Sequence, residues 1–126
     1  MKKDKSPRLH ASGEDYLEAV LILKQKEETV RPVDLARYMG FSRPSISRAV
    51  AALRAEGLLH PDTGNDLEFT EKGLELAQKV YERHRFFTDR LTAAGVDPEV
   101  AEQDACRIEH AISDESFEKL KEALSD

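Results

Sequence analysis

The stretch "RPVDLARYMGFSRPSISRAVAALRAEGLL", residues 31–59, decides how this chain is read. Leu35, Ala36 and Met39 fall at helical spacing and the pattern stops at Gly40, which marks a short helix and its end. Ser42 then offers an N-cap oxygen, and Pro44 stands in the first turn of the next helix, where proline is tolerated. Ile46, Val50 and Leu53 form the apolar stripe of that second helix, and Gly57 ends it. Two short helices separated by a glycine-containing turn are the helix-turn-helix pattern.

Working outward, "LLHPDTGNDLEFT" (58–70) changes character. Leu58-Leu59 and Leu67-Glu68-Phe69 are short extended runs around the turn-rich "PDTGND", which predicts a small β-hairpin, a wing. Upstream, "EDYLEAVLILKQKEE" (14–28) carries apolar residues at 16, 17, 20, 21 and 23, a helical stripe. Ser12 reads as its N-cap, with Glu14 and Asp15 in the first turn; residues 1–10 read as a mobile basic arm. Downstream, Thr70 can cap a helix over roughly 71–93 with Leu74, Ala77, Val80, Tyr81 and Phe87 facing inward. Gly95 and Pro98 bracket a loop, a helix follows over 98–112, and a last helix begins near Asp114. The expected fold is mainly α: a winged helix-turn-helix domain with a β-hairpin wing over 1–71, then an α-helical domain over 72–126.

Composition narrows the function classes. The chain has 126 residues and a formal charge of −6. Residues 1–60 hold 11 Lys and Arg against 8 Asp and Glu, whereas residues 61–126 hold 8 against 17. That asymmetry suits a nucleic-acid-facing front and an acidic back, and argues against indiscriminate nucleic-acid binding. No apolar run approaches the ~20 residues of a membrane helix. No apolar stretch follows "MKKDKSPRLH", so it is not a secretory signal. The single cysteine makes no internal disulfide, and the expected compartment is the reducing cytoplasm.

A helix-turn-helix places the N-terminal residues of its second helix at the base edges of the major groove. Here those are Ser42, Arg43, Pro44, Ser45, Ser47 and Arg48. Serine and arginine suit phosphates and base edges, Arg can grip guanine with two hydrogen bonds, and Pro44 offers an apolar surface to a thymine methyl. Lys2, Lys3, Lys5 and Arg8 could add backbone contacts, which position the protein without reading sequence. The plainer reading is an ordinary helical hairpin with Arg on its surface; the hairpin that follows favours DNA.

A second constellation lies in "ACRIEHAIS", 105–113. Cys106, Glu109 and His110 stand at i, i+3 and i+4, one face of a helix, and offer S, O and N donors. His84 lies on the preceding helix; Asp15 and Glu18 are an i, i+3 pair on the first. Six such groups could fill one octahedral site or share two ions. Taken singly, each has a plainer role. Cys106 could be a small buried hydrophobe, Glu109 and His110 an exposed face, and His84 a partnered histidine. Asp15 could belong to a capping arrangement with Ser12, and Glu18 could be solvated. The joint pattern favours a metal site, and no CxxC or zinc-finger spacing points to structural zinc.

At this point the sequence resembles the diphtheria toxin repressor family of metal-dependent transcription regulators. The resemblance rests on "EDYLEAV" (14–20), "SRPSISRAVAALRAEGLL" (42–59), "FTEKGLELA" (69–77), "ERHRFF" (82–87) and "ACRIEHAISDE" (105–115), in that order and spacing. It implies a cytoplasmic homodimer that binds a palindromic operator in double-stranded DNA when loaded with divalent manganese or iron, controlling metal uptake genes, most simply as a repressor. It also implies that residues 72–126 form a helical metal-binding and dimerisation domain, and that the chain is similar to the two-domain manganese-transport-regulator branch. It places metal ligands at Asp15, Glu18, His84, Cys106, Glu109 and His110, with one or two ions per subunit. Asp15 is similar to manganese sensors and Cys106 to iron sensors; the Asp15–Glu18 pair and the domain count tip the balance toward Mn2+ over Fe2+. An ancillary site of the iron branch would add Glu102 and Thr88 to His84, and Thr88 departs from the carboxylate expected there.

The competing classes are a winged-helix regulator that senses no metal and uses Cys106 as a redox thiol, and a metallohydrolase. Against the enzyme, no nucleophile motif, HExxH or phosphate loop occurs, and a fully protein-ligated metal leaves no open position for substrate. The expectation is therefore a regulator, not an enzyme.

Overall fold

The computed structural model describes residues 9–124, with side chains from Gly13 onward. Among these residues it is mainly helical: α1 (Leu9–Lys24), α2 (Pro32–Met39), α3 (Arg43–Ala55), α4 (Glu71–Ala93), α5 (Pro98–Ala111) and α6 (Asp114–Leu124). The chain divides into two compact units, one up to Gln78 and one from Lys79. The basic arm of Lys2, Lys3, Lys5 and Arg8 lies outside the described residues.

In the N-terminal unit, α1, α2 and α3 pack on one another. Local chemistry sets each boundary. Pro32 opens α2, and the Asp34 carboxylate accepts a hydrogen bond from the Arg31 backbone N–H at 2.9 Å. Gly40, at φ 73°, ends α2 in the left-handed conformation that a glycine adopts without steric cost. Ser42 caps α3 by accepting from the Ser45 N–H at 3.3 Å, as expected. The core joins Leu17 and Val20 of α1, Val30, Leu35 of α2, Ile46, Val50 and Leu53 of α3, then Leu59, Leu67 and Ala77. Each Leu, Ile or Val among them, withdrawn from water, contributes roughly 1.5–3 kcal/mol relative to exposure.

Three local expectations are corrected. First, α1 opens at Leu9, so Ser12 lies inside it rather than at its N-cap, and no acidic residue stands in its first turn. Nothing in Leu9-His10-Ala11 breaks a helix, so the local preference of Ser12 for a cap is overridden. Asp15 is therefore not a capping residue. Second, the hairpin is reduced to one antiparallel bridge, Leu59 to Phe69, with no named strand among the described residues. The His60 N–H donates to Glu68 O at 2.8 Å, but the Leu67 N–H is taken by Val30 O at 2.8 Å, which stops the ladder from extending. Third, Leu74 is 38% exposed, while Ala77, Val80 and Phe87 are buried as expected. The inward face of α4 begins instead at Gly73, where an added Cβ would stand 1.8 Å from Leu58 O. That carbonyl also accepts from the Thr70 N–H at 3.2 Å. Thr70 caps α4 as expected, accepting from the Gly73 N–H at 3.0 Å.

The C-terminal unit is built from the later turns of α4 with α5 and α6. Asp97 caps α5 through the Glu99 N–H at 3.2 Å, and Ser113 caps α6 through the Ser116 N–H at 3.1 Å. Its core is aromatic: Phe86, Phe87 and Phe117 meet with ring centroids 5.2–5.9 Å apart beside Ala105, Ile108 and Ile112.

Candidate metal centre and nucleic-acid interface

The metal-donor side chains of the C-terminal unit come from two helices. α4 presents His84, and the last turns of α5 present Cys106, Glu109 and His110. Donor atoms of Cys106, Glu109 and His110 lie within 4.8 Å of one another. Glu109 is the centre of the group. It is 1% exposed, an unusual place for a carboxylate. Its Oε1 stands 2.9 Å from His84 Nδ1 and its Oε2 3.3 Å from His110 Nε2. Oε2 is buried yet receives no hydrogen bond of acceptable geometry. His84 Nε2, in turn, lies 3.6 Å from Glu102 Oε1. A neutral imidazole that donates from Nδ1 to Glu109 carries its lone pair on Nε2. Within the unit Glu109 is thus shared between Cys106 and His110 on one side and His84 on the other, and thiol, imidazole and carboxylate donors of this kind suit divalent transition ions. A buried charge without compensation costs several kcal/mol, which a bound cation offsets.

Asp15 and Glu18 belong to α1 in the N-terminal unit, at i, i+3 on one face, and Glu18 is buried at 7% exposure. Thr88 Oγ1 is buried with no hydrogen-bond partner, and Glu102 is exposed. Sequence reasoning missed Arg83, which is 7% exposed. Its Nη1 donates to Ile112 O at 2.9 Å and to Glu109 O at 3.3 Å, its Nη2 pairs with Asp114, and its guanidinium lies 5.2 Å from the Phe117 ring centroid. Only its place beside His84 in "ERHRFF" hinted at it.

The second candidate surface is on α3. Ser42, Arg43, Pro44, Ser47 and Arg48 are exposed and Ser45 is half-buried, while Ile46, Val50 and Leu53 point into the core. The helix therefore turns its apolar stripe inward and its Ser/Arg face outward. Burial, reinforced by the Asp15 carboxylate, raises the Tyr16 hydroxyl above its ordinary 10.0, and Arg48 opposes the shift. The Arg48 charge is thus felt at the α1 surface. Tyr16 meets Phe41, in the turn between α2 and α3, edge-on at 6.0 Å. Among the described residues no helix is long and apolar enough to cross a membrane.

Residues 8–63 match the family model described as iron dependent repressor, N-terminal DNA binding domain; residues 70–126 match iron dependent repressor, metal binding and dimerisation domain. An uncharacterised HTH-type transcriptional regulator of Methanocaldococcus jannaschii is 31% identical over 112 residues, which are 87% of this chain and 90% of that protein. The transcriptional regulator MntR of Escherichia coli O6:H1 is 32% identical over 108 residues, 86% of this chain and 70% of that protein. The solved structure of the manganese regulator SloR superposes with a TM-score of 0.77 at 28% identity, covering 89% of this chain and 53% of that one.

Proposed function

The chain belongs to the iron-dependent repressor family of metal-dependent transcription regulators, which are not enzymes, and from that premise we propose that it binds a palindromic operator in double-stranded DNA as a homodimer when loaded with divalent manganese or iron. The observation that carries the metal half is Glu109: a fully buried carboxylate between two imidazoles, with Cys106 on the same face of α5.

We propose the ligands to be Asp15, Glu18, His84, Cys106, Glu109 and His110. Support for the α4–α5 members is their convergence; support for Asp15 and Glu18 is their i, i+3 pattern and the place of Asp15 within α1 rather than at a cap. A divalent ion supplies positive charge that neutralises these carboxylates. The side chains do the rest: His84 and His110 flank Glu109, and Cys106 adds a soft donor that selects against purely hard cations such as Mg2+. We assign Mn2+ ahead of Fe2+ on the Asp15–Glu18 pair. The functional boundary proposed is 71/72, at the start of α4.

On the DNA side, the exposed face from Ser42 to Arg48 fits a major groove, and the proposed readers are Ser42, Arg43, Pro44, Ser45, Ser47 and Arg48. The turn segment closed by the Leu59–Phe69 bridge serves as the wing, and its exposed tip can approach a phosphate backbone. A two-fold dimer requires half-sites about one helical turn, or a multiple, apart. Metal must favour the DNA-competent arrangement, or it shifts nothing. The expected place of action is the cytoplasm. A metal-blind redox regulator is disfavoured, because it leaves the buried Glu109 between His84 and His110 unexplained.

The test is selection of bound sequences from random double-stranded DNA in reducing buffer, with Mn2+, Fe2+, Co2+, Zn2+ or chelator. Enrichment of one palindrome only with metal is the expected result. Equal enrichment with chelator would refute metal dependence.

A further inference from the structure

We propose that Arg83 is a positioning residue of the metal centre, holding the last turn of α5 so that Glu109 and His110 are presented at a preset rotation. The inference rests on the metal-site reading above and concerns a residue that binds no metal itself.

Consecutive residues of α4 grip the two ends of Glu109. Arg83 Nη1 donates to its backbone carbonyl at 3.3 Å, and His84 Nδ1 lies 2.9 Å from its carboxylate Oε1. The same Nη1 donates to Ile112 O at 2.9 Å, one residue beyond the end of α5. The last four carbonyls of a helix have no partner within it, and a cation there also meets the negative end of the helix dipole. A guanidinium is suited to this, since one planar group can donate in several fixed directions. Its second nitrogen pairs with Asp114 at the start of α6, and its face covers Phe117. Arg83 thereby pins the end of α5 and the start of α6 to α4, at the residue before the ligand His84.

A ligand turn held in place before metal arrives loses less freedom on binding. Removing such outer support typically weakens metal binding about 10- to 100-fold. A merely structural arginine would instead lower stability and leave the affinity of the folded protein unchanged.

Direct titrations of the full chain with Mn2+ and Co2+ separate these roles, run on Arg83→Met, Arg83→Lys, Asp114→Asn and Glu109→Gln. The proposal expects Arg83→Met to bind both ions about 10- to 100-fold more weakly and to shift the visible Co2+ spectrum, with Arg83→Lys recovering part of the affinity. Asp114→Asn, which removes one hold on Arg83 but keeps both carbonyl bonds, should weaken binding less than Arg83→Met does, and a loss as large as that of Arg83→Met would overturn the claim that the carbonyl bonds carry the positioning. Arg83→Met with unchanged affinity and Co2+ spectrum, whatever its melting temperature, would overturn the proposal. Should Arg83→Met not fold, Arg83→Lys decides: affinity and spectrum equal to the unaltered chain overturn it, and a weakened, shifted site supports it. Failure of the underlying reading looks different, because Glu109→Gln would then bind ions as well as the unaltered chain.

Discussion

Replacing Glu109 by Gln separates a metal ligand from a structural carboxylate. The side chain is fully withdrawn from solvent, with Oε1 2.9 Å from His84 Nδ1 and Oε2 3.3 Å from His110 Nε2. Gln keeps the shape and leaves an oxygen that can still accept from His84. The lost charge weakens that hydrogen bond from about 1.5–3 to about 0.5–1.5 kcal/mol, a cost of about 1 kcal/mol. Against this, the desolvation of an interior carboxylate, worth several kcal/mol per ion, disappears. No uncompensated charge is left behind, since an imidazole can be neutral near pH 7. The ion-free variant should therefore unfold within about 1 kcal/mol of the unaltered protein, or be the more stable of the two.

With metal the order reverses. An ion at 100 times its dissociation constant stabilises the folded state by about 2.7 kcal/mol. If losing the anionic ligand weakens binding about 100-fold, the same concentration stabilises the variant by only about 0.4 kcal/mol. Urea unfolding followed by circular dichroism, with chelator and then with Mn2+, measures both quantities. A variant that loses 3 kcal/mol or more in chelator, yet keeps the full Mn2+ increment, would show Glu109 to be a structural partner of His84.

Gly73→Ala should destabilise by about 1–3 kcal/mol in the same assay, because its Cβ would meet Leu58 O at 1.8 Å and a backbone carbonyl cannot swing aside; unaltered stability would contradict the close approach of α4. Arg48→Ala, made on an exposed position, should weaken specific DNA binding of the loaded protein by about 1–3 kcal/mol without changing its metal affinity, read by fluorescence anisotropy. If specific affinity holds, Arg48 is not a base reader. Hydrogen bonding by Lys79, followed by the charges of Lys79 and Arg83, holds Asp114 below its ordinary 3.8. A depressed carboxylate contributes stability above its unfolded value and loses it as pH falls through the folded one. Asp114→Asn should therefore flatten the acid limb of the stability profile below about pH 4, and an unchanged limb would exclude the pair as its cause.

The helix-turn-helix was legible because its signals are local. Gly40, Ser42, Pro44 and Gly57 act within one turn of their own backbone, and the stripe of Ile46, Val50 and Leu53 needs only a period of 3.6. The α5 donor group was legible for the same reason, since i, i+3, i+4 spacing is a property of one helix. What escaped depends on distant partners. The hairpin shrank to a bridge because Leu67 bonds to Val30, 37 positions earlier, which no pattern around "PDTGND" announces. Leu74 faces outward because Gly73 is drawn against Leu58. Arg83 read as one charge among many, because its acceptors are carbonyls 26 and 29 residues away and carry no side-chain code.

The central claim is that metal and operator binding are coupled, and coupling is reciprocal. The most direct measurement is the dissociation constant of Mn2+ with and without a saturating duplex carrying the selected palindrome. The account predicts that the duplex tightens Mn2+ binding by the same factor by which Mn2+ tightens DNA binding, about 5- to 150-fold. One Mn2+ affinity, equal in the presence and absence of that duplex, would contradict it.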